Sequence, residues 1–214
     1  MDDSASAASA ASPGDGEGPL ARRIRFAVEA DRLKAVLRRT RLVDGSRREN
    51  SAEHSWHLAL LAVLLHDTAP PGVDHARVLR MLLVHDLVEV DAGDTFCYDA
   101  DANLGREERE RAAAARLFGI LPAEEARELA SLWEEFEAAA SLDARFAAAL
   151  DRFQPLLLNY YGGGGSWLEN AITRAQVLRR MDPIREGAPA LWPVVLDVVE
   201  RSCRAGWIAP DPPG

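Results

Sequence analysis

The 214-residue chain has only two cysteines, Cys97 and Cys203, far apart and without CxxC spacing. Neither a disulfide framework nor a thiolate zinc site is expected, and the compartment should be reducing. No apolar run approaches the length needed to span a bilayer. The amino terminus, MDDSASAASAASPGDGEGP, has no basic region followed by an apolar one, which excludes a secretory signal. These absences predict a cytoplasmic protein with no membrane partner. The net charge of -9 lacks the basic excess with which proteins hold long nucleic acids. A small phosphorylated substrate is compatible with it, because a metal can cancel its charge locally.

Aromatics make up only 7% of the residues, whereas 48% are hydrophobic and Ala, Leu, Glu and Arg dominate. That composition suits packed amphipathic helices, so the expected fold is all-α, a single-domain helical bundle. Residues 1–19 have too little apolar surface to offset chain entropy and are expected as a disordered tail. The domain proper is placed at 20–208, with a short tail at 209–214.

Apolar residues recur at helical spacing from Leu20 through Ile24, Val28, Leu33 and Leu37, predicting a first helix up to the Asp44-Gly45 break. Asn50 or Ser51 caps the second, with Glu53 completing a capping box, and Pro70-Pro71-Gly72 ends it. A third helix starts near Asp74 and runs through Val88, apolar on nearly all sides. Further helices are read at about 105–118, 123–139, 143–160, 166–181 and 189–205, and no alternation suggests a strand. Gly162–Gly165 reads as a flexible connector into a helix capped by Ser166 and Glu169, since a phosphate loop would need a preceding strand and a Gly-Lys ending.

His85-Asp86 falls within the most apolar of these helices, where a carboxylate is disfavoured unless it is paired or binds a cation. Glu89 shares their helix face, and Asp91 and Asp94 follow at once. His54, in the first turn of the second helix, is in line with Leu58, Leu61 and Leu65 and should project inward. Asp151 sits among Ala147, Leu150 and Leu158, with Pro155 predicting a kink beside it. An isolated buried His or Asp is usually a satisfied core residue. Two of each from three helices form a mixed nitrogen and oxygen set suited to Mn, Fe, Co, Ni or Zn. His66 and His75 are read as non-ligands, and His57 as a neighbour that supports the ligands.

The segments ENSAEHSWHLALLAVLL, VLRMLLVHDLVEVDAGDTF and ALDRFQPLLLNY resemble the HD-domain superfamily, in the branch similar to 5′-deoxynucleotidases. The resemblance covers about residues 20–205. It implies a helical bundle in which His54, His85, Asp86 and Asp151 bind one divalent ion (Mn, Co, Fe, Zn or Mg), and removal of phosphate from deoxyribonucleoside 5′-monophosphates. It further implies that Glu89 orients or deprotonates water, that Asp94 supports the site or assists the leaving group, and that the protein is a homodimer. An Arg near the end of the first helix would grip the phosphate. Arg39 matches best in spacing, among Arg38, Arg41, Arg47 and Arg48. Family members often carry Trp after that Arg, where this chain has Thr40, so a weaker preference for deoxyribose is expected.

Two other readings compete. An HD hydrolase of another phosphorylated metabolite or nucleotide would keep the site. Its signalling versions are disfavoured because no GYP motif follows His85-Asp86. A non-catalytic metal- or nucleotide-sensing module would have no use for Glu89 and Asp94 beside the ligands.

Overall fold

The computed structural model describes residues 18–98 and 104–212. The tail expected at 1–19 lies outside the described residues for 1–17. The elements are α1 (Pro19–Ala30), β1 (Leu37–Arg41), β2 (Arg48–Asn50), α2 (Ser51–Leu64), α3 (His75–Val84), α4 (Glu89–Ala92) and α5 (Arg106–Phe118), followed by α6 (Ala123–Ala138), α7 (Leu142–Tyr161), α8 (Gly165–Glu169), α9 (Arg174–Met181), α10 (Ile184–Gly187) and α11 (Trp192–Arg204). The all-α expectation holds, with one two-stranded antiparallel sheet among the described residues.

α7 is the central rod and packs against α2, α3, α6, α10 and α11. Its run of Ala with Phe146, Leu150, Phe153 and Leu156 lets neighbouring helices approach closely, and all of these side chains are buried. Leu58 of α2, Met81 and Leu82 of α3, Ile184 of α10 and Val195 of α11 fill the same core. A second apolar cluster joins Val84, Leu87 and Val88 to Ala113, Leu117 and Phe118 of α5 and Trp133 of α6. His85 and Asp86 are thus held between Val84 and Leu87 of the second cluster, with Met81 and Leu82 one turn earlier set in the first.

Capping at α2 follows the sequence reading: the Asn50 side chain accepts from Glu53 N–H and the Glu53 carboxylate accepts from Asn50 N–H. Asp74 caps α3 in the same sense. Other expectations need correction. The first helix stops at Ala30, passes through a tight turn over Asp31–Ala35, and continues as β1 paired with β2 in the register Leu37↔Asn50 and Arg41↔Arg48. β1 was invisible to hydrophobic periodicity because its inward residues are polar: Thr40 is buried and Arg38 half-buried, while Leu37 and Arg39 face solvent.

α2 ends at Leu64, six residues before the proline pair. α3 ends at Val84, so His85 and Asp86 lie in the turn between α3 and α4, not inside a helix. Bonds from Leu87 N–H to Val84 O and from Glu89 N–H to Asp86 O tighten that turn by one residue per hydrogen bond.

The helix expected at 166–181 is two helices, α8 and α9. Ala171, at φ 49°, breaks the chain, and a second capping box, Thr173 with Gln176, starts α9. The glycine connector is packed, not loose. Gly164 N–H donates to Asn159 O at 2.7 Å, and Ser166, which is not the cap, donates from N and Oγ to Asn159 Oδ1. After Ile208 the chain is tied to α9, since Arg174 N–H donates to Ala209 O and Ala175 N–H to Asp211 Oδ1.

At Gly187, an added Cβ would lie 2.1 Å from the Arg145 carbonyl oxygen and 2.9 Å from Ala149 Cβ, so α10 rests on the bare backbone of α7. Gly187→Ala should force the two helices apart and lower stability by about 1–3 kcal/mol, the usual cost of overpacking. A thermal or urea unfolding curve measures it, and an unchanged midpoint would show that the contact relaxes freely.

Candidate metal centre

The hydrogen bonds of its two imidazoles define the site. His85 donates from Nδ1 to the Leu82 carbonyl at 2.9 Å, which leaves the Nε2 lone pair facing inward. That Nε2 is buried and has no hydrogen-bond partner among the described residues. His54 is turned the same way: Nδ1 lies 3.1 Å from Gln154 Oε1 and Nε2 2.9 Å from Asp151 Oδ1. Gln154 is itself held, donating from Nε2 to Glu49 Oε1 at 2.6 Å and lying 3.1 Å from His57 Nδ1. An imidazole fixed through Nδ1 so that Nε2 is presented is the arrangement that orients a metal ligand.

His54, His85 and Asp151 offer ligand atoms that all lie within 4.8 Å of one another, and all three residues are buried. Asp86 borders them, with Oδ1 3.1 Å from His85 Nε2 and Oδ2 4.0 Å from His54 Nε2. The four residues come from α2, the turn after α3, and the middle of α7, where Pro155 cannot donate to the Asp151 carbonyl. Two imidazole nitrogens and two carboxylates, all buried, make a donor set that fits a divalent transition ion.

The local field is strongly negative. Burial and the Arg38 charge push His54 down, but Asp151, Glu49 and Asp86 together outweigh them and lift it to about 9. His85, with no such hydrogen bond at Nε2, is pushed down by burial. Burial would raise Asp151, yet Arg152 and the two imidazoles hold it well below the usual carboxylate range. Glu89 is raised to about 9, first by burial and then by Asp86, although Ser51 Oγ donates to its Oε2 at 2.6 Å. Burial likewise raises Asp94.

The site opens into a cavity of about 130 Å³ walled by His85, Asp86, Glu89, Asp94 and Asp151. A smaller one of about 70 Å³ adjoins it, lined by Arg39, Thr40, Phe96, Tyr98 and Trp167. A larger, open cleft of about 670 Å³ between α5 and α6 presents Arg and Glu side chains and no imidazole, so the chemistry belongs to the smaller space. Arg38, not Arg39, reaches the carboxylates: its Nη1 donates to Asp86 Oδ2 at 2.8 Å and lies 3.9 Å from Asp94 Oδ1. Arg39 is exposed at the mouth, its guanidinium 5.8 Å from the Phe96 ring centre.

A sequence model of the HD domain matches residues 30–192, a span that includes all four residues. The chain belongs to the HD domain family. Against a crystal structure of a predicted metal-dependent phosphohydrolase from Magnetospirillum magnetotacticum, this HD domain is 50% identical with a TM-score of 0.87, covering 91% of this chain and 97% of the other. It is 31% identical over 111 residues to 5′-deoxynucleotidase HDDC2 of Homo sapiens (52% of this chain, 53% of the relative). To 5′-deoxynucleotidase hdd1 of Schizosaccharomyces pombe it is 28% identical over 131 residues (58% and 63%). The chain spans about half the length of most of the curated relatives it matches.

The sequence reading passed over Glu49, Gln154, Arg152 and Arg180 as site residues. Gln154 had a signal, because it follows Asp151 by three positions on a helix and must share its face. Glu49 had none, since it reaches the site only through the β1–β2 pairing.

Proposed function

We propose that this HD domain, residues 20–208, is a metal-dependent phosphohydrolase that releases phosphate from nucleoside 5′-monophosphates. His54, His85, Asp86 and Asp151 are its metal ligands. The observation that carries the reading is the unpartnered, buried His85 Nε2 aimed at His54 and Asp151. A bound divalent ion would acidify a water molecule and neutralise phosphoryl oxygens. Glu89, held by Ser51, would serve as the base for that water in its ionised form, which the positive charge of a bound ion would favour over the protonated one. Asp94, half-buried beside Arg38, supports the arrangement. Arg39 at the mouth meets the substrate, and Thr40 beside it offers no aromatic face against the sugar, so the deoxy preference is weak. The likeness to 5′-deoxynucleotidases supports the substrate class.

Phosphate release from paired deoxy- and ribonucleoside monophosphates, assayed with Mn, Co and Mg, tests this reading. Turnover of both sugars with a modest deoxy preference is expected, and inactivity on every monophosphate with every metal would refute it.

The same reading includes a cytoplasmic homodimer. It is supported by two free cysteines, by the absence of any helix among the described residues long and apolar enough to cross a membrane, and by the outer face of α2. Trp56, Leu60, Val63 and Leu64 line that face at 62, 38, 56 and 62% exposure, an apolar stripe on a single helix. Val63→Asp should convert a dimer to a monomer in sedimentation experiments, and a wild-type monomer would refute the assignment.

A further inference from the structure

Four arginines wall the metal cavity, and they differ in what they hold. Arg38 is committed to Asp86, with Asp94 and Glu49 close by at 3.9 and 3.8 Å. Arg106 donates to Glu110 at 2.6 Å. Arg152 bonds Asp151 Oδ2 through one N–H, and its guanidinium makes no other hydrogen bond among the described residues. Arg180, on α9, has no ion pair or hydrogen bond among the described residues, yet it lines both the metal cavity and the adjoining aromatic-walled one. Arg152 lines both as well.

Two cations that face one space are not a stable arrangement by themselves. An anion between Arg152 and Arg180 would relieve that repulsion and take up N–H donors that lack partners.

Asp151 also fixes where such an anion would sit. Its Oδ1 faces the two histidines, 2.9 Å from His54 Nε2 and 3.9 Å from His85 Nε2, while its Oδ2 holds Arg152. One carboxylate therefore ties the guanidinium at a set distance from the centre of the ligand cluster.

We infer that Arg152 and Arg180 form the grip for the substrate's phosphoryl oxygens, at the junction of the metal cavity and the aromatic-walled pocket. The inference rests on the phosphohydrolase reading and names the part of that site that holds the phosphate. Arg38 is occupied by carboxylates, and Arg39 stands out at the mouth, so the two inner arginines carry most of the phosphate affinity.

The test is calorimetric titration of inorganic phosphate into Mn²⁺-loaded protein, with Mn content measured on the same samples. Arg180→Ala and Arg152→Gln should each weaken phosphate binding by about tenfold or more, as expected for loss of a charge-assisted contact. Mn content and the unfolding midpoint of Arg180→Ala should stay at wild-type values, because Arg180 supports no other residue. Arg180→Lys should recover part of the affinity, since it restores the charge without the planar fork. Phosphate affinity within twofold of wild type in both Arg180→Ala and Arg152→Gln would overturn the inference, and so would a wild-type protein that binds no phosphate. Phosphate bound through these arginines by a protein inactive on every monophosphate would refute the nucleotidase reading and leave the inference standing.

Discussion

His85→Ala protein should purify without its divalent ion and without phosphatase activity. His85 Nε2 is the one imidazole nitrogen of the cluster with no hydrogen-bond partner among the described residues, so its removal takes a ligand and leaves nothing to replace it. Alterations to groups that merely orient a ligand cost about 10–100-fold in metal affinity, and loss of the ligand itself should exceed that. The fold should survive, because the Leu82 carbonyl that accepts from Nδ1 lies at the end of α3 and the loss is confined to the packing of the imidazole against Phe136, at 4.7 Å between ring centres. Elemental analysis and a phosphate-release assay check the two parts. Wild-type metal content would place the ion elsewhere. Full-length folding with no ion also predicts a lower unfolding temperature in metal-replete buffer, since binding to the native state no longer adds to stability.

Glu89→Gln should keep the ion and lose about 10²-fold or more in kcat, the usual contribution of a general base. The substitution preserves shape and can still accept from Ser51 Oγ, so a structural role alone would leave turnover largely intact. A second readout separates the two. In the folded chain Glu89 titrates near 9, well above its ordinary value of 4.5. Between those limits the unfolded chain ionises this group while the native one holds its proton. Each rise in pH from about 5 towards 9 therefore favours the unfolded state. Chelator-treated wild-type protein should lose stability across that range, and Glu89→Gln, with no proton to release, should show a flatter profile in thermal unfolding. Equal slopes would show that Glu89 is ionised in the native protein, and wild-type turnover would remove it from catalysis.

Much of the helical framework was legible in the sequence because its causes are local. The Asn50 and Glu53 capping box, the Asp74 cap, and the apolar periodicity of α5, α6 and α7 act within a few residues of chain, and their observed ends fall within one residue of the reading. The inward position of His54 followed from its register with Leu58 and Leu61, and all of these are buried. Where helices were misjudged, the cause was a local break that periodicity ignores. Ala171 in the left-handed region divides α8 from α9, and a one-residue tightening ends α3 ahead of His85.

Side-chain types and spacing determined that this chain is helical and pointed to two His and two Asp as candidate ligands, of which the structure brings His54, His85 and Asp151 together with Asp86 beside them. Only the tertiary structure decided which arginine joins them. Arg38 and Arg39 are adjacent and chemically identical, but a strand sends successive side chains to opposite faces, and the pairing of β1 with β2 turns Arg38 towards Asp86 and Arg39 to solvent. The contacts His54–Asp151 and Gln154–Glu49 span 97 and 105 residues of chain, and Arg180 of α9 joins them on the wall of the same cavity. Such meetings depend on how α2, α7 and α9 pack around a shared core, and no local pattern of residues encodes that.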